Sequence, residues 1–478
     1  MDTLVDLLAS FPHHRDKRLV WTPDESLSYA EAYDAALALA GHLRGLGLGR
    51  GDEVLITLHN GSAFPIALLG VAAAGCTAIL ADRESGGQVL AGAGGTTPTA
   101  RIHDHAGEAR LELNGPAGYS SALHQLLKVP ARASDLPLPS GADTAAILYT
   151  SGSSGAVRGV AKTHANLMVE IADLADILAS PGDRFLSVLP WSYIYGLLHH
   201  LLLPMYVGGV AYHLRSYTPY DLVETVVRHE IDLFVGVPAL YRVISALSLP
   251  VRGTGLSWAV SSGAPLEGAT AAKIGARLGW PLVEFYGSTE SGGISFNPDK
   301  LTHGDSVGHP MPHIEVRGLT RGQQPGVLEV RGPTVSEWAC EGARRIHLTD
   351  GDGWYATNDT GHIDGDGRLH LLGRTGRLIK VAGKRVSLDS IEAALLAIPG
   401  VMDAAVSARL DRVHGEVAIA DVVPAPGSGL SLERLMGDCQ RRLPPHQRPR
   451  EVRLCDGIQR RRNSKGPITA AGTEALET

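Results

Sequence analysis

Apolar and polar positions follow a helical rhythm between residues 29 and 47. Tyr29, Tyr33, Ala36, Leu37, Ala40, Leu43 and Leu46 recur three and four apart, which predicts an amphipathic helix. "DEVLITL" (52–58) then reads as a strand. The uncharged run "SAFPIALLGVAAAGCTAILA" (62–81) is long enough to span a bilayer, but Pro65, Gly70 and Gly75 interrupt it. A buried helix ending near Gly75, followed by a buried strand "CTAIL", fits it better, and no membrane span is expected. Residues 145–149 predict another buried strand, and Leu167, Ile171, Leu174 and Leu178 a helix after it. Residues 219–229 look helical and "IDLFVGV" (231–237) strand-like. Such alternation argues for α/β layers with largely parallel sheets.

The texture changes at about residue 307. "GVLEVRG", "GWYATNDTGHIDGDG" and "RLHLLG" are short strands separated by Gly/Asp turns, a β-rich subdomain that runs to about residue 370. Beyond a Gly- and Arg-rich joint at 373–377 come a helix (388–397), the strands "DAAVSARL" and "EVAIADVV", and a helix from Ser431. The expected fold class is α/β. A large N-terminal domain (1–374) of layered sheets carries the β-rich part, and a small α+β C-terminal domain (375–478) follows it.

Bulk numbers narrow the class. The 478 residues are 44% hydrophobic and 19% charged, ordinary for a globular protein. A net charge of −7 argues against a nucleic-acid surface. Cys76, Cys340, Cys439 and Cys455 are scattered without paired spacing, which suggests neither disulfides nor zinc and points to a reducing cytoplasm. His103–His105 and His199–His200 lack a second cluster at metal spacing and read as structural.

Candidate chemistry begins at "YTSGSSGAVRGV" (149–160). Gly and Ser between a strand and a helix can wrap backbone N–H groups and hydroxyls around a phosphate, although such a loop is also an ordinary polar turn. It is not the G-x-x-x-x-G-K-[ST] nucleotide loop. "EFYGSTESGG" (284–293) places Tyr286, Gly287, Thr289 and Glu290 after an apolar segment, where a hydroxyl and a carboxylate suit Mg²⁺. "VSSGAPL" (260–266) is a strand-to-Gly turn able to lay backbone against a flat base. Asp359 in "WYATNDTG" is placed for ribose hydroxyls or is only a turn former. Arg374 lies in "GRTGR", and Lys465 near the end.

In their order and spacing these motifs resemble the adenylate-forming superfamily: acyl- and aryl-CoA ligases, adenylation domains of peptide synthetases, and luciferase. The resemblance extends to "LSYAEAYDAALALAGHLRGLGLGRGDEV" and "LFVGVPALY", nearly the whole chain. It implies an AMP-forming ligase that joins a carboxylic acid to ATP, releases pyrophosphate, and passes the acyl group to a thiol of coenzyme A or of a carrier protein's phosphopantetheine. By that resemblance Thr150, Ser151, Gly152, Ser153, Ser154 and Arg158 hold the triphosphate, and Thr289 touches phosphate while Glu290 binds Mg²⁺. Gly263, Ala264, Pro265 and Tyr286 form the adenine walls, Gly287 belongs to the same nucleotide site, and Asp359 and Arg374 contact ribose. Lys465 bridges the carboxylate and the α-phosphate. Trp191, Tyr193, Gly236, Val237, Ser262 and Ile294, with Gly263 and Gly287, line an acid pocket suited to a modest aryl or unsaturated acid. The small domain is expected to rotate between half-reactions about Thr375–Gly376, exchanging the Lys465 face for the "KVAGKRVSL" face.

Several positions depart from the family pattern. Val157-Arg158-Gly159 replaces Pro-Lys-Gly, Tyr193 stands where many relatives carry His, and Thr357-Asn358-Asp359 replaces Thr-Gly-Asp. Gly376 takes the place of the hinge acid or lysine, and Ser464 precedes Lys465. Arg460, Arg461, Arg462 and Lys384 are alternative cations. These departures leave open a non-thiol acceptor such as an amine, or a nucleotide-binding protein without turnover.

Overall fold

The computed structural model describes residues 1–82, 98–113, 119–126, 139–151, 157–178, 184–247, 255–298, 306–319, 326–341, 344–381, 384–411 and 415–458. The first helix, Tyr29–Gly45, starts where expected. The Ser28 hydroxyl accepts from the Glu31 N–H, and the Glu31 carboxylate accepts from the Ser28 N–H at 2.8 Å, satisfying two end groups. The uncharged run folds as the helix Ala63–Ala73 and the strand Thr77–Leu80. Residues 64 to 73 are all buried, which explains why no polar face interrupts the pattern. Gly70 lets this helix lie on Tyr29–Gly45: a Cβ there would sit 2.8 Å from Leu39 Cδ2. Among the described residues no helix is long and apolar enough to cross a membrane.

Two nine-stranded sheets form the large lobe. In one, the strands Leu282–Ser288, Trp258–Ser261, Leu233–Gly236, Arg184–Ser187, Val210–His213 and Arg18–Trp21 run parallel, with antiparallel strands at the edges. In the other, Thr144–Ser151, Thr77–Leu80, Glu53–Thr57 and Ala100–His105 are parallel. One continuous core joins the sheets through the helices between them. The expectation of α/β layers holds, but the sheets are mixed: the second has a parallel centre flanked on both sides by antiparallel strands.

The segment after the Gly/Ser loop differs from its sequence reading. Val157–Thr163 is a strand, antiparallel to Thr144–Ser151 with Thr150 opposite Arg158, so the two strands form a hairpin and the motif runs on into a strand, not directly into a helix. The helix His164–Ile177 begins only afterwards, its first N–H groups capped by Thr163 and Asn166. The hairpin was hidden because consecutive residues Gly159 to Lys162 are all buried, so the strand lacks a clean alternation.

The β-rich subdomain contributes the antiparallel sheet Glu315–Arg317, Gly326–Arg331, Tyr355–Ile363 and Leu369–Arg374. A separate apolar cluster, from Ile379 to Val452, sits under the strands Lys384–Ser387, Leu378–Val381, Gly415–Pro424, Val401–Asp411 and Glu451–Leu454, with the helices Leu388–Leu396 and Leu432–Arg442. This is the small α+β unit.

Candidate active site

Three side chains far apart in sequence meet where the parallel sheet abuts the antiparallel one. The Tyr286 hydroxyl donates to Asp359 Oδ2 at 2.5 Å, and Arg374 Nε donates to Asp359 Oδ1 at 2.9 Å. Asp359 and Arg374 face each other across the ladder between Tyr355–Ile363 and Leu369–Arg374. Asp359 is itself held from behind: its N–H donates to Thr357 Oγ1, whose hydroxyl donates to the Leu328 carbonyl. Burial, then the neighbouring Asp359 charge, pushes the Tyr286 phenol well above its usual range, so it stays a donor.

Asn358 resolves one departure from the family motif. Its φ is +63°, the left-handed region that Gly enters freely and Asn tolerates best among the others. The Asn therefore preserves the backbone bend that a Gly would make, and Asp359 keeps its aim.

The other sequence candidates fall into three groups. Gly263, Ala264 and Pro265 are exposed at the end of Trp258–Ser261, and Gly263 has φ +87° with open space on its Cβ side. That turn is anchored by the Leu266 N–H donating to Glu284 on the next strand. Thr289 and Glu290 form the half-exposed turn between Leu282–Ser288 and Gly292–Asn297. No described residue hydrogen-bonds or ion-pairs with the Glu290 carboxylate. The same turn needs Gly287, where a Cβ would lie 2.3 Å from the Gly292 carbonyl oxygen. Thr150 and Ser151 end their strand at the hairpin; Gly152, Ser153, Ser154 and Lys465 lie outside the described residues.

A second group has partners within the fold. Arg158 donates through Nε and Nη2 to Glu341 Oε1 on the adjacent strand, at 2.8 and 2.5 Å. Trp191 is fully buried, packs edge-on against Phe64, and donates through Nε1 to His200 Nδ1 at 2.9 Å. His200 in turn faces the Tyr212 carbonyl, 2.7 Å away. Ile294 is also fully buried.

Around the strand ends lies the third group. Tyr193 hydrogen-bonds Asp82. Gly236 offers its carbonyl to the Tyr195 hydroxyl at 3.1 Å and has Tyr241 against its Cα, 3.0 Å from where a Cβ would be. Val237 precedes the helix Pro238–Ala246, and Ser262 is half-buried beside Gly263. Tyr195, Asp82, Lys162 and Glu170 were missed in the sequence. Glu170 did leave a trace: it sits three after Leu167 and four before Leu174, a charge on the apolar stripe of its helix.

Layered α/β sheets, a Gly/Ser motif between paired strands, a Tyr–Asp–Arg cluster and a carboxylate that no described residue engages fit an enzyme of the nucleotide-dependent ligase class. The chain belongs to the AMP-binding enzyme family, which it matches over residues 9–337, with the AMP-binding enzyme C-terminal domain matched over 390–465. It is similar to a probable CoA ligase of Humulus lupulus, 30% identical over 69% of this chain and 60% of that one. It is also similar to 4-coumarate–CoA ligase 3 of Oryza sativa, 27% identical over 92% of this chain and 86% of the other. Among solved structures, o-succinylbenzoate CoA synthetase of Bacillus subtilis with its acyl-adenylate superposes with a TM-score of 0.83, at 22% identity over 99% of each chain. The chain is an ATP-using, AMP-forming acid–thiol ligase.

Proposed function

We propose that the protein activates a small aryl or unsaturated carboxylic acid as its acyl-adenylate and transfers the acyl group to the thiol of coenzyme A, in the cytoplasm. The observation that carries this reading is the Tyr286–Asp359–Arg374 cluster, which supplies an oriented carboxylate at the seam of the two sheets. The Cβ side of Gly263 is open beside half-buried Ser262, which suits a flat acid, and 4-coumarate–CoA ligase 3 is named for an acid of that character.

In this reading the exposed Gly263–Pro265 turn and Tyr286 bracket the adenine, and Asp359 accepts from the ribose hydroxyls. Thr150 to Ser154 enclose the phosphates, and Thr289 donates to one of them. The Glu290 carboxylate, uncommitted among the described residues and half-exposed, is a hard-oxygen ligand of the kind Mg²⁺ takes alongside substrate phosphates. Bound there, the ion would neutralise charge on the phosphoryl oxygens. The Lys465 ammonium holds the acid's carboxylate oxygen at the α-phosphate, and removing such an electrostatic donor costs about 10²–10³ in rate. The small unit then turns about Thr375–Gly376 to admit the thiol.

The test is ATP–pyrophosphate exchange across a panel of cinnamic, benzoic and short unsaturated acids. A positive acid is then incubated with ATP and either coenzyme A, a phosphopantetheinylated carrier, or hydroxylamine. Exchange with an aromatic acid followed by thioester with coenzyme A is expected. No exchange with any acid in the panel refutes the adenylation reading, and product with hydroxylamine alone refutes the thiol acceptor.

A further inference from the structure

Two opposite charges that the proposed chemistry does not use are buried behind the Glu290 turn. Lys162, on the strand that leads away from the phosphate hairpin, is fully buried, and Glu170, on the following helix, is 3% exposed. Lys162 Nζ donates to the Thr334 carbonyl at 2.8 Å. Thr334 reaches the turn directly, its Oγ1 donating to the Ser291 carbonyl at 2.9 Å, and two residues on the Ser336 N–H donates to the carbonyl of Glu290 itself at 2.7 Å. Glu170 grips the other arm: its Oε1 accepts from the Gly293 N–H at 2.7 Å. Gly292 must be Gly for that approach, with φ +72° and a Cβ position 2.6 Å from Glu170 Oε2.

We infer that Lys162 and Glu170 are positioning residues that fix the Thr289–Glu290 turn relative to the phosphate hairpin, so that the Glu290 carboxylate meets metal-bound ATP already oriented. The inference rests on the reading of Glu290 as the metal ligand. Each charge alone would be costly to bury. The two feel each other's field without a direct salt bridge, and Glu170 Oε2 has no hydrogen-bond partner among the described residues. Opposite charges buried together add little stability over apolar residues of the same size. A pair kept in such a place is therefore better explained by what it orients than by what it stabilises. Burial draws the Lys162 ammonium down to about 8 and raises Glu170, and each is partly restored by the other's charge. The Glu290 charge acts on the ammonium in the same sense as Glu170 and more weakly. Lys162 also joins the two segments that handle phosphate, since its strand is one arm of the hairpin and its ammonium ends at the clamp on Glu290.

The experiment uses the full chain and needs no knowledge of the acid. ATP is titrated calorimetrically with and without saturating MgCl₂ into wild type, Lys162→Met, Glu170→Met, the double variant and Glu290→Gln, with thermal melting of each. Lys162→Met and Glu170→Met should melt well below the double variant, in which no lone charge is buried. The double variant should bind metal-free ATP within twofold of wild type yet lose about tenfold or more of the Mg²⁺-dependent gain, the scale on which outer partners of a metal ligand act. Full retention of that gain in a double variant that melts like wild type overturns the inference alone. A wild type that gains nothing from Mg²⁺, or a Glu290→Gln variant that gains as much, overturns the metal reading and the inference with it. Should the double variant not fold, Thr334→Val, which removes only the hydroxyl on Ser291, decides by the same ratio.

Discussion

Replacing Asp359 with Asn asks whether the Tyr286–Asp359–Arg374 cluster serves ATP or only the fold. A carboxylate offers about four lone-pair sites. Tyr286 takes one at 2.5 Å and Arg374 another at 2.9 Å, which leaves two, the number a ribose diol requires. The carboxamide of Asn has a single oxygen with two lone pairs, and its NH₂ is a donor among donors. Once Tyr286 or Arg374 has claimed that oxygen, at most one sugar hydroxyl can still be accepted. Charge-assisted hydrogen bonds are worth about 1.5–3 kcal/mol each, so loss of one to two of them gives about 3 kcal/mol, or roughly a hundredfold in ATP affinity. Arg374 is about a third exposed, so solvent compensates much of its lost partner and the fold should survive.

The assay compares ATP with 2′,3′-dideoxy-ATP by calorimetric titration into both proteins. Wild type should discriminate strongly, and Asp359→Asn should bind the two nucleotides almost equally. A folded Asp359→Asn protein that still prefers ATP by the wild-type factor would refute the ribose assignment. A loss of affinity equal for both nucleotides would show that the cluster acts only by holding the sheets together.

Three further outcomes follow from the same structure. Trp191→Phe removes the bond to His200 and part of a fully buried ring, so it should lower stability by about 2 kcal/mol without changing which acids support pyrophosphate exchange; a changed acid profile at unchanged denaturation midpoint would place Trp191 in the pocket instead. Gly287→Ala sets a Cβ against the Gly292 carbonyl and should spread the Glu290 turn, weakening Mg²⁺-dependent ATP binding about tenfold or more, whereas wild-type binding would show that the turn is not held there. Burial draws His164 and His213 down to about 4 and His199 and His200 to about 3, so the unfolded chain binds protons that the folded chain refuses; stability should be full above about pH 6.5 and fall from there toward pH 4, by about 2 kcal/mol per histidine at pH 5. Glu170 and Asp173, raised by burial, act in the opposite sense, and a urea midpoint that does not drop between pH 7 and 5 would contradict the buried neutral imidazoles.

What could be read from the sequence follows from how local the cause was. The helix Tyr29–Gly45 carries its own start signal and a one-sided stripe, and the β-rich stretch announces itself by Gly/Asp turns, so both were legible from neighbours in the chain. Val157–Thr163 was not, because four consecutive buried residues, Gly159 to Lys162, show no alternation, and the buried Lys162 looks like a surface residue until its bond to the Thr334 carbonyl is known. Tyr286 and Asp359 are 73 residues apart, and only the order of several weak motifs, matched to a family, brought them into one site before the coordinates did. Trp191 shows the limit of that matching. A residue can occupy a family's pocket motif and still spend its polar edge on the core, here because His200 stands nine residues on to receive its N–H. Motif position transfers the backbone, as the left-handed Asn358 demonstrates, whereas the use of each side chain depends on partners that the motif does not contain. For this ligase the acid is therefore to be sought beside the side chains at the strand ends, Tyr193 on Asp82 and Tyr195 on Gly236, more than in the Gly/Ser loop.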